Sequence, residues 1–208
     1  MKTSRLLCVE RMRIWCVLGT AFALMALSVG GGAARASDES TVRWDIVSVD
    51  FATGTVSAGG MASARANDNS KITVTGSGTF KVEDGQFEDA TGGGSWMTSS
   101  AGGVVTGSGT YGVTGVVRWE QAPGTPPLPN DNIGNRADIR AGLLVLRIRY
   151  SDGGKGILVV SCHLVGTPDS VFEGITASKG FVDYWNREAP PPPPGDANRT
   201  VFHVTSED

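Results

Sequence analysis

Thr75-Gly76-Ser77-Gly78-Thr79-Phe80, Thr91-Gly92-Gly93-Gly94-Ser95-Trp96 and Thr106-Gly107-Ser108-Gly109-Thr110-Tyr111 repeat one form, Thr-Gly-x-Gly-(Ser/Thr)-aromatic, at spacings of 16 and 15 residues. That period holds one strand and one turn, so the copies describe an antiparallel β-meander. Successive side chains of a strand point to opposite faces. In the first copy Val74, Gly76, Gly78 and Phe80 therefore share one face, and Thr73, Thr75, Ser77 and Thr79 share the other. In the third copy Val105, Gly107, Gly109 and Tyr111 fall together in the same way. Glycine weakens a strand unless something uses the space of the missing side chain. Two glycines beside an aromatic leave bare backbone over which a neighbouring ring can lie, and they permit the coiling that closes small barrels. The aromatic face is expected to be the packed interior. The Thr/Ser face is expected to be a solvent-facing sheet surface, since Thr has high strand propensity.

Outward from the repeat, nearly everything after residue 41 alternates with period two, and no amphipathic helix stands out. Residues 42–51, 71–82, 94–98, 104–113 and 116–121 read as strands, with a Gly/Ala-rich stretch over 55–66. Pro123, Pro126, Pro127, Pro129 and several asparagines exclude regular pairing over 122–137, which reads as a long surface loop. The strongest hairpin joins 143–150 to 157–165 through Ser151-Asp152-Gly153-Gly154-Lys155-Gly156, residues that tolerate positive φ. An aromatic strand near 180–185, a stiff proline connector over 190–194 and a last strand over 200–204 complete the chain. Val42-Arg43-Trp44-Asp45 is echoed by Val117-Arg118-Trp119-Glu120. Nine or ten short strands must stack as a sandwich or close as a barrel to manage their edges. The expected fold is all-β, an antiparallel meander closed as a small β-barrel, with a β-sandwich as the alternative. In the barrel, the strand from Thr200 pairs with the one from Val42.

The N-terminal residues 1–36 read as an export signal. Lys2, Arg5, Arg11 and Arg13 precede an apolar run from Ile14 to Val29, and Ala34-Arg35-Ala36 before Ser37 has the small-x-small form of a cleavage site. Residues 37–208 are then expected to form one β-rich domain, secreted or periplasmic. The run over 14–34 would be roughly 31 Å long as a helix and just able to span a bilayer, so membrane attachment follows only if the segment stays uncleaved. Residues 37–208 carry 13 basic against 20 acidic residues, a net charge of −7, which argues against a nucleic-acid partner. Thirteen Arg against five Lys, with abundant Ala and Gly, suggest a GC-rich bacterial genome. Cys8 and Cys16 fall in the signal, so Cys162 is the one thiol left in the mature chain, with no intramolecular disulfide.

Cys162 and His163 are adjacent on a strand, point to opposite faces and cannot activate one another directly. Cys162 shares its face with Leu158, Val160 and Leu164 and is expected to be a small buried hydrophobe. On the other face of the hairpin, Arg147, Arg149, Ser161 and His163 are the candidate ligand-binding residues. Two arginines, a hydroxyl and an imidazole suit a carboxylate or other anion if that face lines a cavity. Glu83, Asp84, Glu88 and Asp89 surround Gly85 in a hairpin turn and are expected to be solvated charges, not a calcium loop. Asp45 and Glu120 would form a carboxylate pair only if their strands meet. His203 has no His or Cys neighbour at ligand spacing, so no metal site is expected. No Ser elbow, phosphate loop or dinucleotide fingerprint occurs, and no cofactor or catalytic residue is assigned. Trp44, Trp96, Trp119 and Trp185 are expected to lie in the core.

The segment from Ser161-Cys162-His163-Leu164 through Gly174-Ile175-Thr176, with the glycine-threonine-aromatic strands, resembles secreted bacterial β-rich proteins of unassigned activity. In strand texture the chain is also similar to calycin-like and allene oxide cyclase or dirigent-type barrels, which carry small apolar ligands or guide a cyclisation. The resemblance implies architecture only. The expected function is that of a secreted, non-enzymatic β-barrel protein binding a small molecule or a cell-envelope surface partner. The alternatives are an envelope structural protein and a barrel isomerase, cyclase or lyase using Arg147, Arg149 and His163.

Overall fold

The apolar-polar alternation of the sequence is realised as strand along most of residues 39–206, the residues that the computed structural model describes. The expected signal over 1–36 lies outside them. In chain order the strands are β1 (Ser40–Asp50), β2 (Thr55–Ala58), β3 (Ala62–Arg65), β4 (Lys71–Val74), β5 (Ser77–Glu83), β6 (Gln86–Glu88), β7 (Gly93–Ser99) and β8 (Val105–Ala122). They continue as β9 (Asn130–Asp131), β10 (Ile139–Tyr150), β11 (Lys155–Cys162), β12 (Gly174–Lys179), β13 (Val182–Tyr184), β14 (Asn186–Arg187) and β15 (Arg199–Ser206). One 3-10 turn, Arg136–Asp138, interrupts them.

β1, β5, β7, β8, β10 and β15 pair antiparallel in that order, and β15 returns to β1. The fold is thus a closed six-stranded antiparallel barrel with additional strands. The expected pairing of the last strand with the first runs from Ser40↔Ser206 to Val47↔Arg199. Two seams are short: Ser77↔Gly93 joins β5 to β7, and Ile139↔His203 with Arg140↔Phe202 joins β10 to β15. Beyond each seam the edge forks. β10 goes on to pair with β11 from Gly142 to Arg149, and β7 with β4 from Trp96 to Ser99. β12 and β13 extend the first branch, β3 and β14 the second. Apolar residues of both branches, such as Leu158, Ile175, Ala64 and Ile72, belong to the same core as the barrel.

The repeat packs as its alternation implies. Its three copies run through β5, β7 and β8, consecutive barrel strands, and Phe80, Trp96 and Tyr111 are buried. Trp119 spans the interior between Phe80 and Phe202, at ring centroid distances of 6.2 and 4.6 Å. A second group places Tyr150 against Trp96 at 5.5 Å and Tyr111 at 6.3 Å. The glycines make room for these rings. A Cβ at Gly78 would stand 2.8 Å from the Trp44 indole nitrogen and 2.2 Å from the Thr91 carbonyl oxygen. Gly107 and Gly109 lie under Trp96. On the outer face Thr75 bonds Ser95 at 2.8 Å and Thr79 bonds Thr91 at 2.9 Å, so the hydroxyl stripe satisfies itself across strands. The echoed tetrapeptides also share a local geometry. In each the Trp turns inward, and Arg43–Asp45 and Arg118–Glu120 pair outside it at 2.8 and 3.2 Å.

Several boundaries differ from the sequence reading. The expected strand over 71–82 breaks at Thr75-Gly76, where the Tyr111 hydroxyl donates to the Thr75 carbonyl at 2.8 Å and fills the space of a Gly76 side chain. The strands over 104–113 and 116–121 are one, and the Gly/Ala-rich stretch holds β2 and β3. β12 was not expected, because Ser178 and Lys179 hide its alternation. Trp185 is 58 % exposed and lies outside the core.

Gly78→Ala should cost about 1–3 kcal/mol of stability in urea unfolding through overpacking against backbone. Gly112→Ala, whose new Cβ meets nothing within 4 Å, should change stability by less than about 0.5 kcal/mol.

Candidate functional site

Part of the outward face of β1 and β15 is as apolar as an interior. Val47 and Val49 on β1 and Val201 on β15 are buried, although Trp44 and Phe202 already turn the opposite way into the barrel. What covers the outer face is the proline segment. Pro126, Pro127 and Leu128 lie across it and leave a partly enclosed cleft of about 180 Å³, completed by Phe51, Val56 and Ile139. The expected surface loop over 122–137 is therefore a cover. Within it β9 pairs in parallel with β2, through Thr55↔Asn130 and Val56↔Asp131.

Side chains fasten this cover because its prolines have no N–H to give a sheet. Arg136 donates to the carbonyls of Leu128 and Pro126 at 2.7 and 2.8 Å. His203 Nε2 lies 2.6 Å from Asp131 Oδ2, both groups being buried. Burial would raise the Asp131 carboxyl, but the His203 imidazole and the N–H groups of Ile133 and Gly134 outweigh it and hold the group below its ordinary value. Arg43 and the fully buried Asp45 stand next to this pair on β1.

One end of the cleft is polar. Glu173, in the loop before β12, accepts the backbone N–H of His163 at 2.5 Å on one oxygen and that of Thr200 at 2.6 Å on the other. Burial pushes its carboxyl up to about 8, against the lowering effect of those two N–H groups and of Arg199. His163 Nδ1 sits 2.7 Å from the Val171 carbonyl oxygen. A carbonyl only accepts, so Nδ1 carries the proton and Nε2 is left for a ligand. Arg199 lies over the Phe51 ring, 4.8 Å from its centroid, and donates from Nη2 to the Pro191 carbonyl at 3.0 Å. Its buried Nε has no hydrogen-bond partner.

The residues singled out from sequence divide between two places. Arg147 and Arg149 face solvent, paired with Ile157 and Lys155. Ser161 lies opposite Leu143, four residues and roughly 14 Å further along the strand, and is fully buried, donating to the Gly142 carbonyl. His163 alone reaches the cleft. The four do not converge on one ligand, and the enzyme alternative is left without its arginines at the imidazole. Asp45 pairs with Arg43 and Glu120 with Arg118, on strands that are not neighbours, so no carboxylate pair forms. Glu83 to Asp89 form the exposed β5–β6 turn. Among the described residues no cluster of three His, Cys, Asp or Glu is placed to hold a metal. Glu173 and Arg199 were missed. Glu173 lies in a loop without periodicity, and Arg199 precedes the strand expected from Thr200, so alternation gave neither a face.

No family model, curated protein or solved structure matches this chain. The site therefore rests on its own geometry.

Glu173→Gln should destabilise the fold by about 1–3 kcal/mol, because an amide NH₂ would face one of the two backbone N–H donors. The wild type should also lose stability as pH rises from 4.5 to about 8. The folded state holds the Glu173 proton in that window and the unfolded state does not, so the contribution is full below the lower value and gone above the upper. The variant should lack this slope in urea titrations across pH. Cys162 is 0 % exposed, and burial, with the nearby Glu173 charge, pushes its thiol up. Thiol reagents should modify it at neutral pH only on the timescale of unfolding.

Proposed function

We propose that this is an exported ligand-binding β-barrel protein that holds a small apolar molecule in the cleft between β15 and the proline segment. The observation that carries the reading is the pairing of apolar walls with a few convergent polar groups at one end, which is how small-molecule sites are built. The carboxyl pushed up to about 8 within it adds support, since perturbed groups gather at functional sites. The barrel interior is filled by Trp44, Phe80, Trp119 and Phe202, which favours a site outside the barrel. The size of the cleft suits one ring or a short chain. An apolar cavity of about 150 Å³ takes up benzene, and this one measures about 180 Å³.

Benzyl alcohol is a suitable neutral probe. Isothermal titration should give a saturable single site, and Leu128→Trp, which fills the cleft from its cover, should abolish it while the protein stays folded by circular dichroism. Binding unchanged in Leu128→Trp would contradict the reading.

A further inference from the structure

The cleft has an unspent cation at one end and hydrocarbon everywhere else. Among the described residues Arg199 makes no ion pair, and its one hydrogen bond goes to the Pro191 carbonyl from Nη2. A guanidinium offers five N–H donors in a planar fork, so most of its capacity is unused. Glu173, whose carboxyl the Arg199 charge lowers, forms no direct bond to it. Its two oxygens are taken by the backbone N–H groups of His163 and Thr200, and burial favours its neutral form near neutral pH. The other polar side chain at this end, His163, has its Nδ1 committed to Val171 and its Nε2 free. β1, the turn after it, β2 and the proline segment contribute only Val, Phe, Pro and Leu to the walls.

We infer that the ligand is a small organic acid, bound as its anion with the carboxylate on Arg199 and its hydrocarbon body between Val49, Leu128 and Val201. This rests on the cleft being a ligand site, as proposed above. Charge complementarity selects the class. An amine would meet the Arg199 charge, and a hydrocarbon would leave the guanidinium desolvated and unpaired, which is costly. A bare inorganic anion would leave the apolar walls wet. A carboxylate satisfies the fork through charge-assisted hydrogen bonds. The site differs from the one that sequence alternation suggested on Arg147 and Arg149, but the chemistry is the same: a carboxylate held by arginine beside His163.

Benzoate and benzyl alcohol share a ring and differ in charge, so they separate this inference from the cleft itself. Titrated calorimetrically into the wild-type protein near neutral pH, benzoate should bind at least about tenfold more tightly than benzyl alcohol. Arg199→Gln should remove that advantage, whereas Arg147→Gln, outside the cleft, should alter the affinity of neither probe. The wild-type comparison stands even if Arg199→Gln fails to fold. Equal affinity for the two probes, or preference for the alcohol, would overturn the acid and leave the cleft in place. Binding of neither would overturn both.

Discussion

The structure hangs on β15, which pairs with β1 along eight residues and with β10 through two. Its alternation serves two layers at once. Phe202 points inward and packs on Trp119 at 4.6 Å, closing the barrel. Arg199, Val201 and His203 point outward, where they supply the cation, a wall and the anchor of the cover over the cleft. The backbone N–H of Thr200, between them, holds Glu173. A one-residue slip of this strand would exchange the two faces. Barrel closure and cleft assembly are therefore one event, and the polar end cannot form in a chain whose last strand is unpaired.

The inner layer is specified by shape. Glycines stand where rings must approach backbone, as under Trp44 and Trp96, and the rings fill what the glycines vacate. The outer layer is specified by polar contacts instead. The buried His203–Asp131 pair and the exposed Arg136 fork to two carbonyls hold a proline segment that has few backbone donors of its own. Buried polar pairs are expensive to break singly, since the remaining partner is left desolvated. A segment with only short sheet pairing, β9 on β2, can thus still be fixed firmly enough to wall a cleft.

What could be read from sequence follows from the range of the interactions. The glycine-aromatic repeat, the barrel and the β1–β15 pairing were legible because alternation acts residue by residue along each strand. The forks at Gly76 and Arg140 were not, since they depend on which strand arrives from elsewhere in the chain. Alternation correctly put Arg147, Arg149 and His163 off the apolar face of the hairpin, but sharing a face is not being near. The strand carries His163 well beyond the arginines, into a loop region closed by Glu173. The cleft was hidden for the same reason. Four prolines and three asparagines announced a loop, and nothing local announced that it would cover the outside of the barrel.

The account stands most directly on where a ligand sits. Methyl-labelled valine and leucine residues, followed by NMR during titration with benzoate, report on both layers separately. Shifts confined to Val47, Val49, Val56, Leu128, Leu164 and Val201 are the predicted result. Shifts at Leu144, Leu146 and Leu158 instead would place the ligand among the residues of the core and contradict it.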